Sequence, residues 1–327
     1  MKIAVIGLGV IGKVHLAVLE EEGLLPSAVC DIDPEKRALC PSAAFYTDWR
    51  EMLDREQLDA VHICTPHYLH AEMTVECLSR NIHVLCEKPL CIREEDIGRI
   101  LAAEAASSAT LGVCFQNRYK ETNRFVKEYL REHPASCGEA TVFWHRDAAY
   151  YASGDWRGKW ATEGGGVLIN QALHTLDLMI WFLGEPETVD AVLGNVSLQG
   201  VIEVEDTAVL RAHGGAEFVF SATNAAPRNF PVEISLRCGK EWVRVLSDRC
   251  VIGDREVRFD DQRRLHGKEE YGTGHSALIG DFYRCLREGE RFPIDGKEGA
   301  KAVRAVLKAY ENGRENGTLP GREAPVC

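Results

Sequence analysis

Short apolar runs alternate with amphipathic segments along the first 118 residues of the chain. The apolar runs predict strands at 2–6, 27–31, 59–65, 83–86 and 110–115, and the segments between them predict helices near 13–22, 50–55, 69–80 and 93–106. Strands that are apolar throughout and joined by helices are typical of a parallel sheet covered on both faces. The pattern therefore predicts an α/β, doubly wound domain over residues 1–120.

The pattern changes after a predicted linking helix at 122–132. Strands now follow one another, some with period-two alternation as in Glu217–Phe220, and a predicted helix crosses them at 168–183. The strands are predicted at 139–146, 187–199, 205–212, 216–223, 231–237, 241–246 and 255–260, with closing helices near 275–288 and 297–312. This order predicts a second, α+β domain over residues 121–327, with an open and mostly antiparallel sheet.

Composition narrows the classes of partner. The 327 residues carry a net charge of −12, which argues against nucleic acid and against an anionic membrane surface as partners. The sequence shows neither an apolar run of about 18 residues nor a signal-peptide pattern, and its 12 cysteines are scattered singly without a C-x-x-C motif. We therefore expect a cytoplasmic protein with reduced, buried thiols and no membrane partner.

A glycine motif lies between the first predicted strand and the first predicted helix. Gly7, Gly9 and Gly12 form G-x-G-x-x-G directly after the apolar run Ile3–Ile6. A buried strand that turns tightly into a helix directs backbone N–H groups and the positive end of the helix dipole toward one point, which suits a pyrophosphate. We expect a dinucleotide with its pyrophosphate over Gly9–Ile11; a tight turn without a ligand is the alternative.

An acidic residue ends the second predicted strand. Asp31 follows Gly12 by 19 residues, close to the spacing of about 20 at which a carboxylate meets the adenosine ribose. A carboxylate at that position accepts hydrogen bonds from ribose hydroxyls and repels a 2′-phosphate, so NAD is favoured over NADP. Lys36 and Arg37 lie close enough in sequence to attract a phosphate and keep NADP open as an alternative.

Further motifs follow in order along the chain. E-K-P occupies 87–89, and G-G-G-V-L-I-N-Q-A-L-H-T-L-D occupies 164–177; Thr65-Pro66 and Gln116-Asn117-Arg118 follow two of the predicted strands. Together with the glycine motif, this order resembles the Gfo/Idh/MocA family over essentially the whole chain. The resemblance implies a Rossmann sheet and hydride transfer between NAD(H) or NADP(H) and a ring hydroxyl or ketone of a sugar, sugar derivative or cyclitol.

The residues expected at the cofactor combine the glycine turn, the acidic residue and the matched strand ends. They are Gly7, Gly9, Val10, Ile11, Gly12, Asp31, Thr65, Pro66, His67, His70, Glu87, Lys88, Asn117 and Arg118. The spacing of His62, His67 and His70 also invites a metal interpretation. No cysteine or carboxylate cluster completes a tetrahedral set with them, so no metal is predicted.

The resemblance indicates Lys88 and His174 as catalytic residues. An imidazole titrates near neutrality, so His174 is the better base, and Lys88 would place positive charge beside the developing alkoxide. We expect Glu87 to pair with Lys88. Asn170 stands where the family more commonly has an aspartate, and an amide takes no proton. The alternatives are a solvated lysine at a strand end and a histidine on an ordinary helix face.

The segment before the second glycine run is unusually rich in aromatic, polar and glycine residues. Aromatic faces with interleaved arginine and lysine suit a carbohydrate, although Trp156 and Trp160 also fit as core or interface anchors. The residues expected at the substrate are Lys88, Tyr150, Tyr151, Arg157, Lys159, Asn170, Gln171 and His174, with Arg146 behind them.

The leading interpretation is an NAD-dependent dehydrogenase of a sugar or sugar derivative, for example at C3 of a hexopyranoside. One alternative is a redox-neutral glycosidase that works through a 3-keto intermediate with Tyr150 or Tyr151 as a second base. Another is a non-catalytic NAD-binding regulator. We also expect a homodimer or homotetramer through the second sheet, because too few helices are predicted to cover it. The apolar residues expected on its bare face include Val204, Ala208, Val209, Phe218 and Phe220.

Overall fold

The computed structural model describes residues 1–261, 263, 265–267 and 272–319. The chain divides into two compact units. The first contains Met1–Lys120 and Asp261–Ala300, and the second contains Glu121–Asp260 and the chain from Lys301 onward. The sequence-based division assigned everything after residue 120 to the second domain. Residues 261–300 differ because their helix, Gly274–Glu288, packs against the first helix of the chain.

The first unit is built on a six-stranded parallel sheet. Its elements are β1 (Ile3–Ile6), α1 (Val10–Glu21), β2 (Ala28–Cys30), β3 (Ala44–Tyr46), α2 (Trp49–Arg55), β4 (Ala60–Ile63), α3 (His67–Ser79), β5 (His83–Glu87), α4 (Glu94–Ala106) and β6 (Leu111–Cys114), with 3₁₀ turns at Pro34–Leu39 and Gln116–Tyr119. The strand order is β3-β2-β1-β4-β5-β6. This is the predicted doubly wound sheet, with one strand more than predicted.

The added strand, β3, lies at the sheet edge and pairs only with β2 in the described part of the chain. Its three residues are partly or largely exposed, unlike the fully buried β1 and β4. A strand that short and open carries little hydrophobic periodicity, which is why the sequence pattern missed it.

The second unit is built on an eight-stranded sheet. Its elements are α5 (Glu121–Glu132), β7 (Ala135–Phe143), α6 (Ala148–Ala152), α7 (Leu173–Leu183), β8 (Thr188–Gly194), β9 (Thr207–His213), β10 (Phe218–Thr223), β11 (Glu233–Cys238), β12 (Glu241–Val245), β13 (Arg249–Ile252) and β14 (Arg255–Arg258). The strand order is β14-β13-β12-β11-β7-β10-β9-β8, and only the β7–β10 pair is parallel. The predicted α+β domain with a mostly antiparallel sheet is confirmed.

Two helices follow, α8 (Gly274–Glu288) and α9 (Gly296–Glu315). The predicted crossing helix at 168–183 begins at Leu173, because residues 164–172 form a succession of turns. Helix α7 packs on β7, where Gly138 leaves room for Met179: a Cβ at Gly138 would lie 3.1 Å from the Met179 Cε atom.

The apolar residues expected on the bare sheet face are mostly covered. Residues Val204, Ala208, Phe218 and Phe220 are buried, and of the expected set only Val209 is exposed. Strand alternation explains the difference, since Phe218 and Phe220 share the inner face while Val219 points outward with Val209 and Val192. The exposed face therefore carries a different apolar set from the one predicted.

All eleven cysteines in the described part of the chain are free thiols, and most are buried. No helix in those residues has the length and apolar character needed to cross a membrane.

Candidate active site

The turn after β1 approaches its neighbours too closely for side chains. A Cβ at Gly7 (φ +88°) would lie 2.6 Å from the Cys64 carbonyl oxygen, and one at Gly12 would lie 1.9 Å from that of Gly7. Gly9 differs, because a Cβ there would meet nothing within 4 Å. Two glycines thus close the turn, and the third leaves open space at the start of α1, which fits the pyrophosphate of a dinucleotide.

Asp31 is tied into this turn from the end of β2. Its Oδ2 atom accepts a hydrogen bond from the Leu8 N–H at 2.7 Å, and its Oδ1 atom accepts one from Asp33. Lys36 Nζ lies 3.1 Å from both carboxylate oxygens, whereas the Arg37 guanidinium lies over the Phe45 ring. The lysine that kept NADP open as an alternative is therefore paired with the residue that favours NAD.

His70 holds two strand ends together. Its Nδ1 atom lies 2.7 Å from the Pro89 carbonyl oxygen and its Nε2 atom 2.8 Å from that of Thr65, and the side chain is fully buried. Pro89 follows Lys88 through a cis peptide bond. Burial lowers the pKa of His70, which favours a neutral ring with a single N–H donor, so one of these two carbonyls accepts a hydrogen bond from it. Packed between the two carbonyls, His70 lies against the loops that carry Thr65 and Lys88. Its expected contact with the cofactor stays a prediction.

Glu87 lies in a buried network with two histidines. Its Oε1 atom is 3.0 Å from His15 Nε2 and 3.5 Å from His275 Nε2, and its Oε2 atom accepts a hydrogen bond from the Lys88 backbone N–H. Burial raises the pKa of Glu87, but the hydrogen bonds and charges of His15 and His275 outweigh burial and hold it well below its usual range. With a buried carboxylate, Glu87 holds the Lys88 backbone from inside the unit, and its expected contact with the cofactor stays a prediction.

The network continues away from Glu87. His15 Nδ1 lies 2.7 Å from His62 Nδ1, and His62 Nε2 lies 2.8 Å from the Tyr283 hydroxyl. Burial, and then the neighbouring His15, lower the pKa of His62 well below its usual value, so His62 is neutral. Sequence reasoning missed His15 and Tyr283, since nothing in their spacing connects them to Glu87.

His15, Glu87 and His275 also place one ligand atom each within 4.8 Å of one another, a spacing that a metal ion can use. In the sequence, the spacing of His62, His67 and His70 suggested these three as metal candidates. The structure separates these three: His62 binds His15, His70 binds backbone carbonyls, and His67 begins α3 with its side chain buried.

Arg118 is committed within the first unit. Its guanidinium forms a 3.1 Å ion pair with Glu298, and the side chain is buried. The ion pair anchors the 3₁₀ turn that carries Asn117, and the expected contact of Arg118 with the cofactor stays a prediction.

In the second unit the expected substrate residues converge on Tyr150. Its hydroxyl accepts hydrogen bonds from Arg157 NH1 at 2.7 Å, from Gln171 Nε2 at 2.9 Å and from Asn170 Nδ2 at 3.4 Å. Gln171 is oriented by the Asn224 amide, which donates to its Oε1 atom. Asn170 and Gln171 precede His174, which lies in the first turn of α7. Four residues predicted from the sequence thus share one polar cluster.

Tyr151 belongs to the core instead. It packs in a cluster with Leu198, Ile202 and Val204, and its hydroxyl accepts a hydrogen bond from Asn224. Tyr151 is therefore a core residue in this structure, and its expected contact with the substrate stays a prediction. Lys159 is exposed, and Trp160 packs against the same core cluster with its indole N–H bonded to the Glu203 carbonyl oxygen.

Two buried carboxylates that the sequence did not single out shape the loop before His174. Glu163 accepts hydrogen bonds from the Gly158 N–H and from the Asn170 amide. Glu205 accepts from the N–H groups of Gly166 and Leu168 and from the Tyr310 hydroxyl. The only signal in the sequence was that Glu163 directly precedes the glycine run.

Comparison with known proteins gives consistent matches at this point. Residues 1–115 match the family model "Oxidoreductase family, NAD-binding Rossmann fold", and residues 137–244 match the "GFO/IDH/MocA C-terminal domain". The myo-inositol 2-dehydrogenase of Thermotoga maritima is 24% identical over 324 residues, which cover 93% of each chain.

Solved structures are similar over nearly their whole length. The WlbA dehydrogenase of Bordetella pertussis, in complex with NADH and UDP-GlcNAcA, is 29% identical with a TM-score of 0.83, covering 96% of this chain and 97% of that chain. Levoglucosan dehydrogenase in complex with NADH and levoglucosan has a TM-score of 0.82 at 21% identity, covering 96% and 97% of the two chains, and shows the shared fold.

The glycine turn, the fold and these matches define the class of the protein as an NAD-dependent dehydrogenase. The chain belongs to the Gfo/Idh/MocA oxidoreductase family. The predicted family, fold class, enzyme class and NAD cofactor are confirmed.

Proposed function

We propose that this dehydrogenase transfers a hydride between a ring hydroxyl of a sugar or sugar derivative and NAD, with Lys88 and His174 as its catalytic residues. The cluster on Tyr150 carries the proposal, because it joins an aromatic ring and a guanidinium to the amides of Asn170 and Gln171, which stand just before His174 in the chain. Such a set suits a polyhydroxylated ring, whose hydroxyls hydrogen-bond and whose C–H faces stack on aromatic rings. The inositol, levoglucosan and UDP-GlcNAcA dehydrogenases similar to this chain support a cyclic polyol substrate.

The proposed roles follow from the chemistry of the side chains. NAD supplies the hydride acceptor at its nicotinamide ring. His174 takes the hydroxyl proton, because a neutral imidazole accepts protons near neutral pH. Lys88 stabilises the developing alkoxide with its charge, and Glu87 fixes its backbone through the Lys88 N–H. Asn170 orients a substrate hydroxyl and takes no proton.

The redox-neutral glycosidase is the weaker alternative. It requires a second base, and Tyr151 is buried with its pKa raised, first by burial and then by Glu163. Tyr150 accepts three hydrogen bonds, as described above, which fits a positioning role. The non-catalytic regulator is weaker still, since both Lys88 and His174 are present.

The experiment is a screen of monosaccharides, glycosides, uronates and cyclitols with NAD, followed by absorbance at the NADH band. We expect net formation of NADH with at least one ring polyol. Oxidation at C3 of a hexopyranoside is one of the candidate reactions. Product release from a glycoside without net NADH would favour the glycosidase instead. NAD binding without turnover of any compound would favour the regulator.

We also propose that the protein is a cytoplasmic homodimer or homotetramer that associates through the second sheet. The outer sheet face carries Val192, Val209 and Val219, which are 63%, 46% and 46% exposed. Burying this face against a second copy removes apolar surface from water. Free thiols in the described part of the chain suit a reducing compartment.

A further inference from the structure

Two guanidinium groups lie against one tyrosine ring in the second unit. The Arg157 Cζ atom is 4.6 Å and the Arg146 Cζ atom 5.1 Å from the centroid of the Tyr150 ring. Each arginine also stacks on a tryptophan, Arg157 on Trp156 and Arg146 on Trp144. Aromatic rings thus hold two positive charges beside one tyrosine.

Neither arginine is neutralised within the described part of the chain. Arg157 donates to the Tyr150 hydroxyl, and Arg146 donates to the His145 carbonyl oxygen and the Asn229 side-chain oxygen; no carboxylate lies within ion-pair distance of either guanidinium. The Nε atoms of both arginines are buried without a hydrogen-bond partner. In contrast, Arg118 of the first unit is paired with Glu298.

This arrangement has an electrostatic cost in the absence of a bound anion. Two like charges on one ring repel each other, and each buried N–H without an acceptor loses the hydrogen bond that water would provide. A planar carboxylate or a phosphate removes both costs, because a guanidinium donates two parallel hydrogen bonds to such a group. The chain as a whole carries a net charge of −12, so two neighbouring arginines without a carboxylate partner are unusual in this protein.

The pair is also placed where a substrate group would be expected. Tyr150 joins Arg157 to Gln171 through its hydroxyl, and Gln171 lies three residues before His174. Asn224 fixes the amide orientation of Gln171. The two short donors, Arg157 at 2.7 Å and Gln171 at 2.9 Å, occupy the lone pairs of the Tyr150 oxygen, and Asn170 at 3.4 Å makes a longer, weaker contact. The Tyr150 O–H then points to an acceptor outside this set.

We propose that Arg146, Tyr150 and Arg157 form an anion subsite, so that the substrate is a sugar bearing a carboxylate or a phosphate. The proposal rests on the proposed dehydrogenase function and narrows its substrate class. A carboxylate and a phosphate share the chemistry that the guanidinium groups recognise, and the experiment separates them.

The kinetic test compares matched sugars with NAD and the full-length protein. Methyl hexopyranosides, the corresponding uronates and the corresponding hexose phosphates are assayed in the gluco, galacto and manno series. We expect kcat/KM to be roughly 10- to 100-fold higher for one anionic form than for its neutral partner. Preference for the uronate identifies a carboxylate, and preference for the phosphate ester identifies a phosphate.

Variants connect that preference to the arginine pair. Arg157→Gln is expected to lower kcat/KM more for the anionic sugar than for the neutral one, and so to remove most of the preference. Arg157→Lys keeps the positive charge but loses the planar group that donates two parallel hydrogen bonds. It is therefore expected to retain part of the preference for the anionic sugar. Arg131→Gln removes the same charge from an exposed position on α5 of the same unit and leaves the preference unchanged. Thermal unfolding of each variant identifies a loss that comes from misfolding.

A binding measurement separates failure of the subsite from failure of the proposed function. Calorimetric titration of the NADH-loaded protein with glucuronate and with inorganic phosphate is expected to show binding to the wild type and weaker binding to Arg157→Gln. Arg157-dependent binding without NADH formation from any sugar supports the subsite and overturns the dehydrogenase proposal. Equal turnover of neutral and anionic sugars, or an equal loss on both in Arg157→Gln, overturns the subsite alone. Absence of both binding and turnover overturns both.

Discussion

His15 Nε2 lies 3.0 Å from the Oε1 atom of Glu87, and both side chains are buried in the first unit. The carboxylate remains charged there because His15 and His275 hold its pKa well below the usual range against the effect of burial. The next residue is Lys88, whose backbone N–H donates to the other carboxylate oxygen. The residue proposed to stabilise the alkoxide is therefore positioned from the interior.

Replacement of His15 tests this relationship. His15→Ala leaves the Glu87 charge with one histidine fewer, and we expect a loss of about 2–4 kcal/mol in the free energy of unfolding. Glu87→Gln in the His15→Ala background is expected to cost less than Glu87→Gln alone, since the amide needs no counter-charge. His133→Ala, at an exposed histidine, serves as the control. Additive effects in this double-mutant cycle would contradict the coupling.

Lys88→Ala and His174→Ala test the proposed chemistry. Each is expected to lower kcat by roughly 10²–10⁴, while the NAD dissociation constant stays near that of the wild type. If His174 is the base, the low-pH limb of the kcat profile also disappears in His174→Ala. Near-normal turnover of that variant would assign the base to another residue, with Lys88 as the first candidate.

Asp31→Ala tests the preference between the two nicotinamide cofactors. The variant loses the carboxylate that would accept from the ribose and releases Lys36, which now lies 3.1 Å from both of its oxygens. We expect NAD binding to weaken by about 10-fold or more, and NADP binding to weaken less, because the released lysine attracts a 2′-phosphate. Asp33→Ala removes a neighbouring carboxylate as the control. Equal losses for both cofactors would refute the ribose contact.

Glu205 predicts a pH dependence of stability. Burial raises its pKa from 4.5 to about 7, although the N–H of Leu168 and the Tyr310 hydroxyl act in the opposite direction. The pKa of Glu205 is thus higher in the folded protein than in the unfolded chain. Its contribution to the free energy of unfolding is therefore complete below pH 4.5 and is lost as the pH rises to about 7, because the unfolded chain releases its proton first. Relative to the wild type, Glu205→Gln should therefore gain about 3 kcal/mol of stability over that window, at about 1.4 kcal/mol per pKa unit.

Denaturant unfolding at a series of pH values measures this difference. Glu203→Gln, a nearby exposed glutamate, is the matched control and should track the wild type at every pH. Parallel curves for Glu205→Gln and the wild type would show that Glu205 ionises normally in the folded protein.

Assembly through the second sheet predicts sensitivity of the outer face to charge. Val219 is 46% exposed in the centre of that face. Its partners in the strand register are Arg211 on β9 and Glu139 on β7. Val219→Glu is expected to shift the mass measured by light scattering at micromolar concentration toward a single chain. Val196→Glu, in the loop after β8, is the control. A wild-type mass equal to that of one chain would contradict the proposed assembly.

The sequence predicted both sheets because buried strands and alternating strands leave direct periodic signals. It predicted the glycine turn because close backbone approach admits only glycine at Gly7 and Gly12. The contacts that it missed are long-range. Tyr150 and Tyr151 are adjacent and alike in sequence, and only the position of Leu198, Ile202 and Val204 shows which ring enters the core.

The histidines illustrate the same limit. His15, His62 and His275 are separated by 47 and 213 positions, yet the first two are hydrogen-bonded and the third lies beside the shared carboxylate of Glu87. Periodicity reports which face of an element is buried, and it carries no information about which buried polar groups meet. The same reason explains why the sequence could not predict the Glu298 partner of Arg118 or the backbone partners of His70.

The return of residues 261–300 to the first unit has a consequence for synthesis on the ribosome. Helix α8, which supplies His275 and Tyr283 to the network around Glu87, follows the whole of the second sheet in the chain. After the first 120 residues are made, about 150 further residues must be translated before α8 exists, which takes roughly 10 seconds or more at typical elongation rates. Until then His62 and Glu87 of the nascent first unit lack their contacts with α8, and a fragment that ends at residue 120 would lack them permanently.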